Sequence, residues 1–348
     1  MWREPYRRRF EDAIHRLLWA QWTALGVAGA GAMAEGRVVD PEALLLFTLE
    51  AARTEPRLFD EVLDWLLQNG AWIDVQRLRN LLASDPHAPA GLVVAVAKLL
   101  RKRERSAKWR RLSALTGPPR GEIEPLFLPP AAIGPPPSRD LDTAFAEAGY
   151  ARGPIHLRGL SIPVPLLAPP SLRLRLRALF GIGIRAEIVV YLLSNVDAHA
   201  HEVAAAIAYS VPGTQQALRE MSLSNLVQVR RHGREKRHSL DVDRWKTFLG
   251  VSATGARWVN WSALFQGLAK LLRHFRRTDL ADASEYLHAS EFVRAFTAAL
   301  VDLEKSGLPV RPPARTGERV EACASSLAVW LVGWASLDKP TSPGMPTT

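Results

Sequence analysis

Residues 185–245 constrain the fold of this chain more than any other stretch. In order, they read as an apolar helix, a short alanine-rich helix, a tight turn, a polar helix and a basic β-hairpin. Ile188, Val189, Leu192 and Leu193 give 185–194 one apolar stripe. Val203, Ala206 and Ile207 do the same for 201–208, where small alanines allow close helix contact. Tyr209 falls in the turn. Ser210 is placed to cap the third helix, its hydroxyl accepting from an amide two or three residues on. Pro212 is tolerated in the first turn, because amides there lack helical partners. This helix runs to about Leu223, with Leu218 and Met221 facing inward. Gly213, Thr214, Gln215, Gln216 and Arg219 fall toward the opposite side or the flanks.

The next segment adds the hairpin. Asn225 suits a left-handed turn that ends the helix; Val227 and Val229 alternate with Gln228 and Arg230, and His238, Leu240 and Val242 alternate on the return strand. A turn near His232-Gly233 joins them. Arg230, Arg231, Arg234, Lys236 and Arg237 then lie on or near the hairpin tip, beside the third helix. Clustered cations in that position suit a phosphate backbone. On the helix, glutamine pairs bidentately with adenine, threonine contacts a base or phosphate, and arginine reads guanine. The expected base-reading residues are therefore Thr214, Gln215, Gln216 and Arg219. The expected phosphate contacts are Ser210, Arg230, Arg231, Arg234, Lys236 and Arg237. Taken without the hairpin, the same helix residues read rather as a solvated polar face.

That element order is the sequence shape of a winged helix-turn-helix. The run Glu202-Val-Ala-Ala-Ala-Ile-Ala-Tyr-Ser, Thr214-Gln-Gln-Ala-Leu218, Met221, Asn225-Leu-Val227 and the Arg231-His-Gly-Arg234 hairpin tip resembles the winged-helix domains of bacterial ArsR- and MarR-like transcriptional regulators, over about 185–242. The resemblance implies that Gln215 and Gln216 lie on the DNA-reading helix and that the hairpin tip contacts the backbone. Pro212-Gly213 in the helix start, and Asn225 in place of the customary glycine, depart from that pattern.

The remaining chain is read as helical. Residues 1–116 make a helical domain. Ile14, Leu17, Leu18, Trp22 and Leu25 recur at helical steps, Asp40-Pro41 starts a second helix, and Leu58, Phe59, Val62, Trp65 and Leu66 form a third. Asp74 caps a fourth over 75–82. Residues 41–83 read either as a plain bundle or as a second, wingless helix-turn-helix, with Gln76, Arg77, Arg79 and Asn80 outward. A single helix is expected over 89–115, apolar in its first half and basic in its second from Arg101 to Arg111. Eight prolines then mark 117–138, within a Pro-rich linker over 117–170 that carries one short helix around 140–148; Leu126, Phe127 and Leu128 are candidates to strap it to a domain. Residues 171–180 alternate leucine and arginine, yet Leu172, Leu176, Leu179 and Phe180 also share a helical face; helix is the expectation. The winged unit spans 171–249. Over 250–338 a C-terminal helical region carries stripes from Trp258 to Phe275 and from Phe292 to Leu303. Such helices beside a winged unit suggest a homodimer on a two-fold DNA site. The last residues, 339–348, read as a disordered tail.

Composition narrows the class. The 348 residues carry 45 Lys and Arg against 35 Asp and Glu, a balance that favours a polyanionic partner. The one cysteine, Cys323, leaves no intrachain disulfide or cysteine zinc site and fits a reducing, cytoplasmic setting. The arginines of 1–10 precede a charged helix rather than a signal-peptide core. Residues 320–337 come nearest to a membrane span but read better as a buried helix. No catalytic arrangement is specific. His199-x-His201 beside Asp197 reads as structural, the glycines of 27–36 follow no strand, and Asp60 and Asp64 read as a solvated face. A mainly α protein with a central winged helix-turn-helix is thus expected to bind double-stranded DNA as a bacterial-type regulator, without enzymatic activity, metal or cofactor. The alternative is a non-enzymatic module, such as an antitoxin or a subunit of a defence or chromosome-maintenance assembly, whose winged helix binds a protein partner.

Overall fold

Helix α1 (Arg3–Ala24) buries Phe10, Ile14, Leu17, Leu18 and Trp22, the three- and four-residue steps read from the sequence. The computed structural model describes residues 3–31, 33, 36–104, 107–115, 123–129, 140–233, 235–250, 257–280, 283–307, 327–329 and 331. Over these the protein is mainly helical with two small sheets. Helix α2 (Pro41–Ala51) begins where the Asp40 carboxylate accepts from the Ala43 amide. Helices α3 (Pro56–Asn69) and α4 (Val75–Ser84) follow, the latter capped by Asp74. Helix α5 (Ala90–Glu104) stops well short of 115, and the chain turns before α6 (Arg110–Ser113). The turn buries Trp109 and lets the Lys108 ammonium donate to the Gly70 and Ala71 carbonyls at the end of α3, gains that end the expected long helix early.

The proline-rich passage is tied down wherever it is described. Strand β1 (Glu124–Pro125) pairs in parallel with β2 (Tyr150–Ala151), and α7 (Thr143–Ala146) lies between them in sequence. Phe127 and Phe145 set their edges against Phe59 of α3, and the Arg152 guanidinium lies over all three rings while pairing with Asp60 at 2.9 Å. Asp64 is buried, not solvated as expected: it accepts from the amides of Gly159 and Ser161, both at 2.9 Å. Asn69 completes the strap by donating to Ile162 O and accepting from Val164 N.

A second apolar core follows. Helix α8 (Leu172–Phe180) is a helix despite its leucine–arginine alternation. After it come α9 (Ile184–Leu192), β3 (Ala198–His199), α10 (Ala200–Ile207), α11 (Val211–Leu223), β4 (Gln228–His232), β5 (Glu235–Ser239) and α12 (Val242–Leu249). The three strands form one antiparallel sheet in the order β3-β5-β4. Leu172, Leu176, Ile188, Val189, Leu192, Val203, Ile207, Leu218 and Met221 fill the space between the helices.

Helices α13 (Trp261–Phe275) and α14 (Glu285–Lys305), which the sequence assigns to a separate C-terminal region, share one apolar core with α1 to α5. Phe265 stacks on Phe47 of α2 at 4.8 Å between centroids, and Phe275 meets Phe10 of α1 at 5.3 Å. Gly267 lets α14 approach closely; a Cβ there would come within 2.7 Å of Leu303. The basic cluster at the end of α13 is spent internally, since Arg273 pairs with Glu50, Arg276 with Glu11 and Arg277 with Asp279 and Glu291. Of 320–337, Leu327, Ala328 and Leu331 are buried and Val329 is exposed; the other residues of that segment, and the tail 339–348, lie outside the described residues. No described helix is long and apolar enough to cross a membrane.

Candidate nucleic-acid interface

Helix α11 has two sharply different faces. Its cap forms as the sequence predicts, with Ser210 Oγ accepting from the Gly213 amide at 3.3 Å and Pro212 in the first turn. Ala217, Leu218 and Met221 face the core. Gln215, Gln216 and Arg219 are exposed, one to four residues apart, and form a polar stripe. Thr214 does not belong to it. That side chain is fully buried and its hydroxyl donates to Ser210 O at 2.9 Å, so it is removed from the base-reading set. The exposed groups are linked: Arg219 donates to Gln216 Oε1 at 2.7 Å, and Gln216 donates to Glu220 at the same distance. Hydrogen bonds from Gln216 and Arg185 hold the Glu220 carboxyl below its ordinary range.

The hairpin sets its cations directly opposite one another. Arg230 faces Arg237 and Arg231 faces Lys236 across the strands. Like charges in register destabilise a strand pair. Gly233 takes the turn at φ 61°, while Arg234 lies outside the described residues. Arg230, Arg231 and Lys236 are exposed. Arg237 instead leans back on the body: its Nε donates to Asp197 at 2.6 Å, Glu202 lies 3.6 Å away, and the Asp197 hydrogen bond raises its pKa further. Asn225 takes φ 58°, the left-handed conformation expected at the end of α11.

His199 caps α10 with its ring accepting from the His201 amide, and Glu202 accepts from the His199 amide in return. Among the described residues, no group of three His, Cys, Asp or Glu is arranged to hold a metal.

Sequence reasoning missed how this surface is held. Arg77 and Asn80, expected outward on α4, point into the α10–α11 connection. Arg77 Nε donates to Ile207 O at 2.9 Å, Asn80 Nδ2 to Ala208 O at 2.9 Å, and the Tyr209 hydroxyl donates to Asp74. Three consecutive residues of the turn are thereby gripped by one helix and its cap. Ala208 sits there at φ 58°, a left-handed conformation that costs an alanine about 1–2 kcal/mol.

Behind the grip, Arg77, Arg173 and Arg177 meet Asp40, Glu42 and Glu187, all six buried. Arg77 bonds Asp40 at 2.5 and 2.6 Å and Glu42 at 2.8 Å; Arg177 bridges Glu42 and Glu187; Arg173 bonds Glu187. Burial opposes ionisation of Asp40, but Arg173 and Arg77 outweigh it and hold that carboxyl far below its ordinary range. Arg177 is likewise desolvated, and Glu42 and Glu187 raise its pKa in spite of that. The sequence signal for this cluster was the pair Arg173 and Arg177, four apart on an apolar helix and therefore on one face. The core around α9 to α12 is thus clamped to the helical body by charge and backbone hydrogen bonds as well as by packing.

Comparison of the chain with protein-family models, with curated proteins and with solved structures finds no match in any of the three.

Proposed function

We propose that residues 184–249 form a winged helix-turn-helix that binds double-stranded DNA with sequence preference, as a bacterial-type transcriptional regulator does. The order helix–strand–helix–helix–strand–strand, with the first strand pairing on the last, supports this reading. The observation that carries it is the hairpin register. Arg231 set directly against Lys236, with Arg230 beside them, is a cost to the free protein that phosphates would relieve, whereas Arg237 already has Asp197. In this reading α11 enters the major groove, Gln215, Gln216 and Arg219 meet base edges, and the hairpin follows the backbone. The apolar stripe of α13, which suggested a dimer, is used inside the chain, so a two-fold complex is not part of the proposal.

The test is selection of bound fragments from random duplex DNA by the full chain, followed by titration at several salt concentrations. Replacing Arg230, Arg231 and Lys236 by glutamine is expected to weaken binding to all sequences and to flatten the salt slope by about 0.9 for each phosphate that is no longer neutralised. Unchanged affinity and slope would sink the proposal.

One observation favours the alternative of a protein partner. Beside the hairpin, Phe180, Leu226, Trp245 and Phe248 line a cleft of about 430 Å³. Phe248 is 66% exposed and nearby Leu223 88%, more apolar surface than DNA contact requires. Absence of any DNA retention at moderate salt, with a stoichiometric protein partner at this cleft, would turn the assignment to an interaction module.

A further inference from the structure

A second cationic site lies away from α11 and the hairpin. Arg37 and Arg257 pair as a parallel β-bridge, fixed by backbone hydrogen bonds from Arg257 N to Gly36 O and from Val38 N to Arg257 O. Directly paired residues of a parallel bridge project to the same side, so the pairing brings two arginines together. Both line a cleft of about 430 Å³ together with Lys305, and no acidic residue is among its described walls. Ser194, Asn195, Asn260 and Ser306 are the other polar residues of its lining. Trp258 forms an aromatic wall, its ring held edge-on against Tyr191 at 4.9 Å and its backbone amide donating to Ser194 Oγ at 2.7 Å. Burial, with the charge of Arg257 beside it, lowers the Arg37 pKa to about 10.

We propose that this cleft binds a phosphorylated small molecule with a flat ring, a nucleotide, with its phosphates on Arg37, Arg257 and Lys305 and its ring against Trp258. Guanidinium groups match phosphate oxygens bidentately, and planar rings stack on indole. The volume suits a small molecule rather than a duplex. Four parts of the chain converge here: the segment before α2, the end of α9, the segment before α13 and the end of α14. A bound nucleotide would therefore touch both the α9–α12 unit and the helical body.

Calorimetric titration of the full chain with ATP, AMP and inorganic phosphate, without DNA, tests the site. Saturable binding of ATP and AMP, one per chain, is expected, weakened about tenfold or more in the Arg37→Gln/Arg257→Gln double variant. Lys305→Gln, at an exposed position, provides a second variant should the double variant fail to fold. Trp258→Phe is expected to weaken AMP more than phosphate. A variant with Arg230, Arg231 and Lys236 changed to glutamine should still bind ATP, which separates this site from the hairpin. The inference is overturned if no nucleotide binds the wild type, if both cation variants bind as the wild type does, or if these substitutions reduce DNA affinity in a chain that binds no nucleotide. Because DNA is absent from the assay, failure of the DNA-binding proposal leaves this result intact.

Discussion

Arg77 reaches from α4 to the backbone carbonyl of Ile207, donating from Nε at 2.9 Å while its two terminal nitrogens hold Asp40 and Glu42. One side chain therefore joins the end of α10 to the start of α2. The guanidinium is 1% exposed, so its removal leaves carboxylates buried without their counter-charge. Breaking a buried pair by deleting one partner costs about 3–5 kcal/mol. Arg77→Met is expected to lower unfolding stability by that amount in a urea titration, with the carboxylates left in place. A loss of less than about 1 kcal/mol, the scale of an exposed ion pair, would show that the cluster does not clamp the two cores.

The hairpin register predicts opposite effects on stability and binding. Arg231→Glu replaces a like-charged pair with Lys236 by an opposite-charged one, worth about 0.2–1 kcal/mol across strands. The thermal midpoint is expected to rise slightly while DNA affinity falls. A variant that is less stable, or that binds DNA as well as the wild type, contradicts the role assigned to these cations.

Thr214 and Gln215 are neighbours in sequence with different duties. Thr214→Val removes a buried hydroxyl that donates to Ser210 O, at a cost of about 1 kcal/mol in stability, and should leave sequence preference as it was. Gln215→Ala, on the exposed face, should leave stability unchanged and relax discrimination at one base position by about 1–3 kcal/mol. Comparison of the DNA sequences selected by the two variants checks the assignment. A shift in preference with Thr214→Val would place that residue back in the groove.

What could be read from sequence divides along a physical line. Periodicity showed α1, α9, α10 and α11, and the Ser210 cap, because those depend on neighbours within a turn or two. It also showed the hairpin, whose alternation spans enough residues to register. Strand β3 has two residues and therefore no period, and α12 begins at a cap, Asp241, that also ends the hairpin. The inward turn of Arg77 and Asn80 was hidden because a polar helix face looks alike whether water or another element satisfies it. Only partners distant in sequence, Asp40 and Ile207 among them, decide that. The same holds for Asp64, whose acceptor atoms serve amides of the proline-rich strap. The shared core of α13 with α1 and α2 is likewise non-local: an apolar stripe states that a face is buried, never against what.

Two histidines predict how stability varies with pH. His15 Nε2 lies 3.3 Å from both Ala51 O and Thr54 Oγ1, and burial lowers its pKa. His238, at the base of the hairpin, is lowered mainly by burial too, with His199 and Lys236 adding repulsion. For each, the unfolded chain titrates near 6.5 and the folded protein below it, so the unfolded state binds more protons in between. The stability that neutral, buried rings contribute is then fully present above about pH 7. It declines as pH falls through 6.5 toward the depressed folded values, where the decline from these groups ends. Urea titrations between pH 8 and pH 5 should show this slope, and His15→Gln should reduce it while keeping a donor near Ala51 O. A pH dependence identical in His15→Gln would mean that His15 titrates in the folded protein as it does in the unfolded chain.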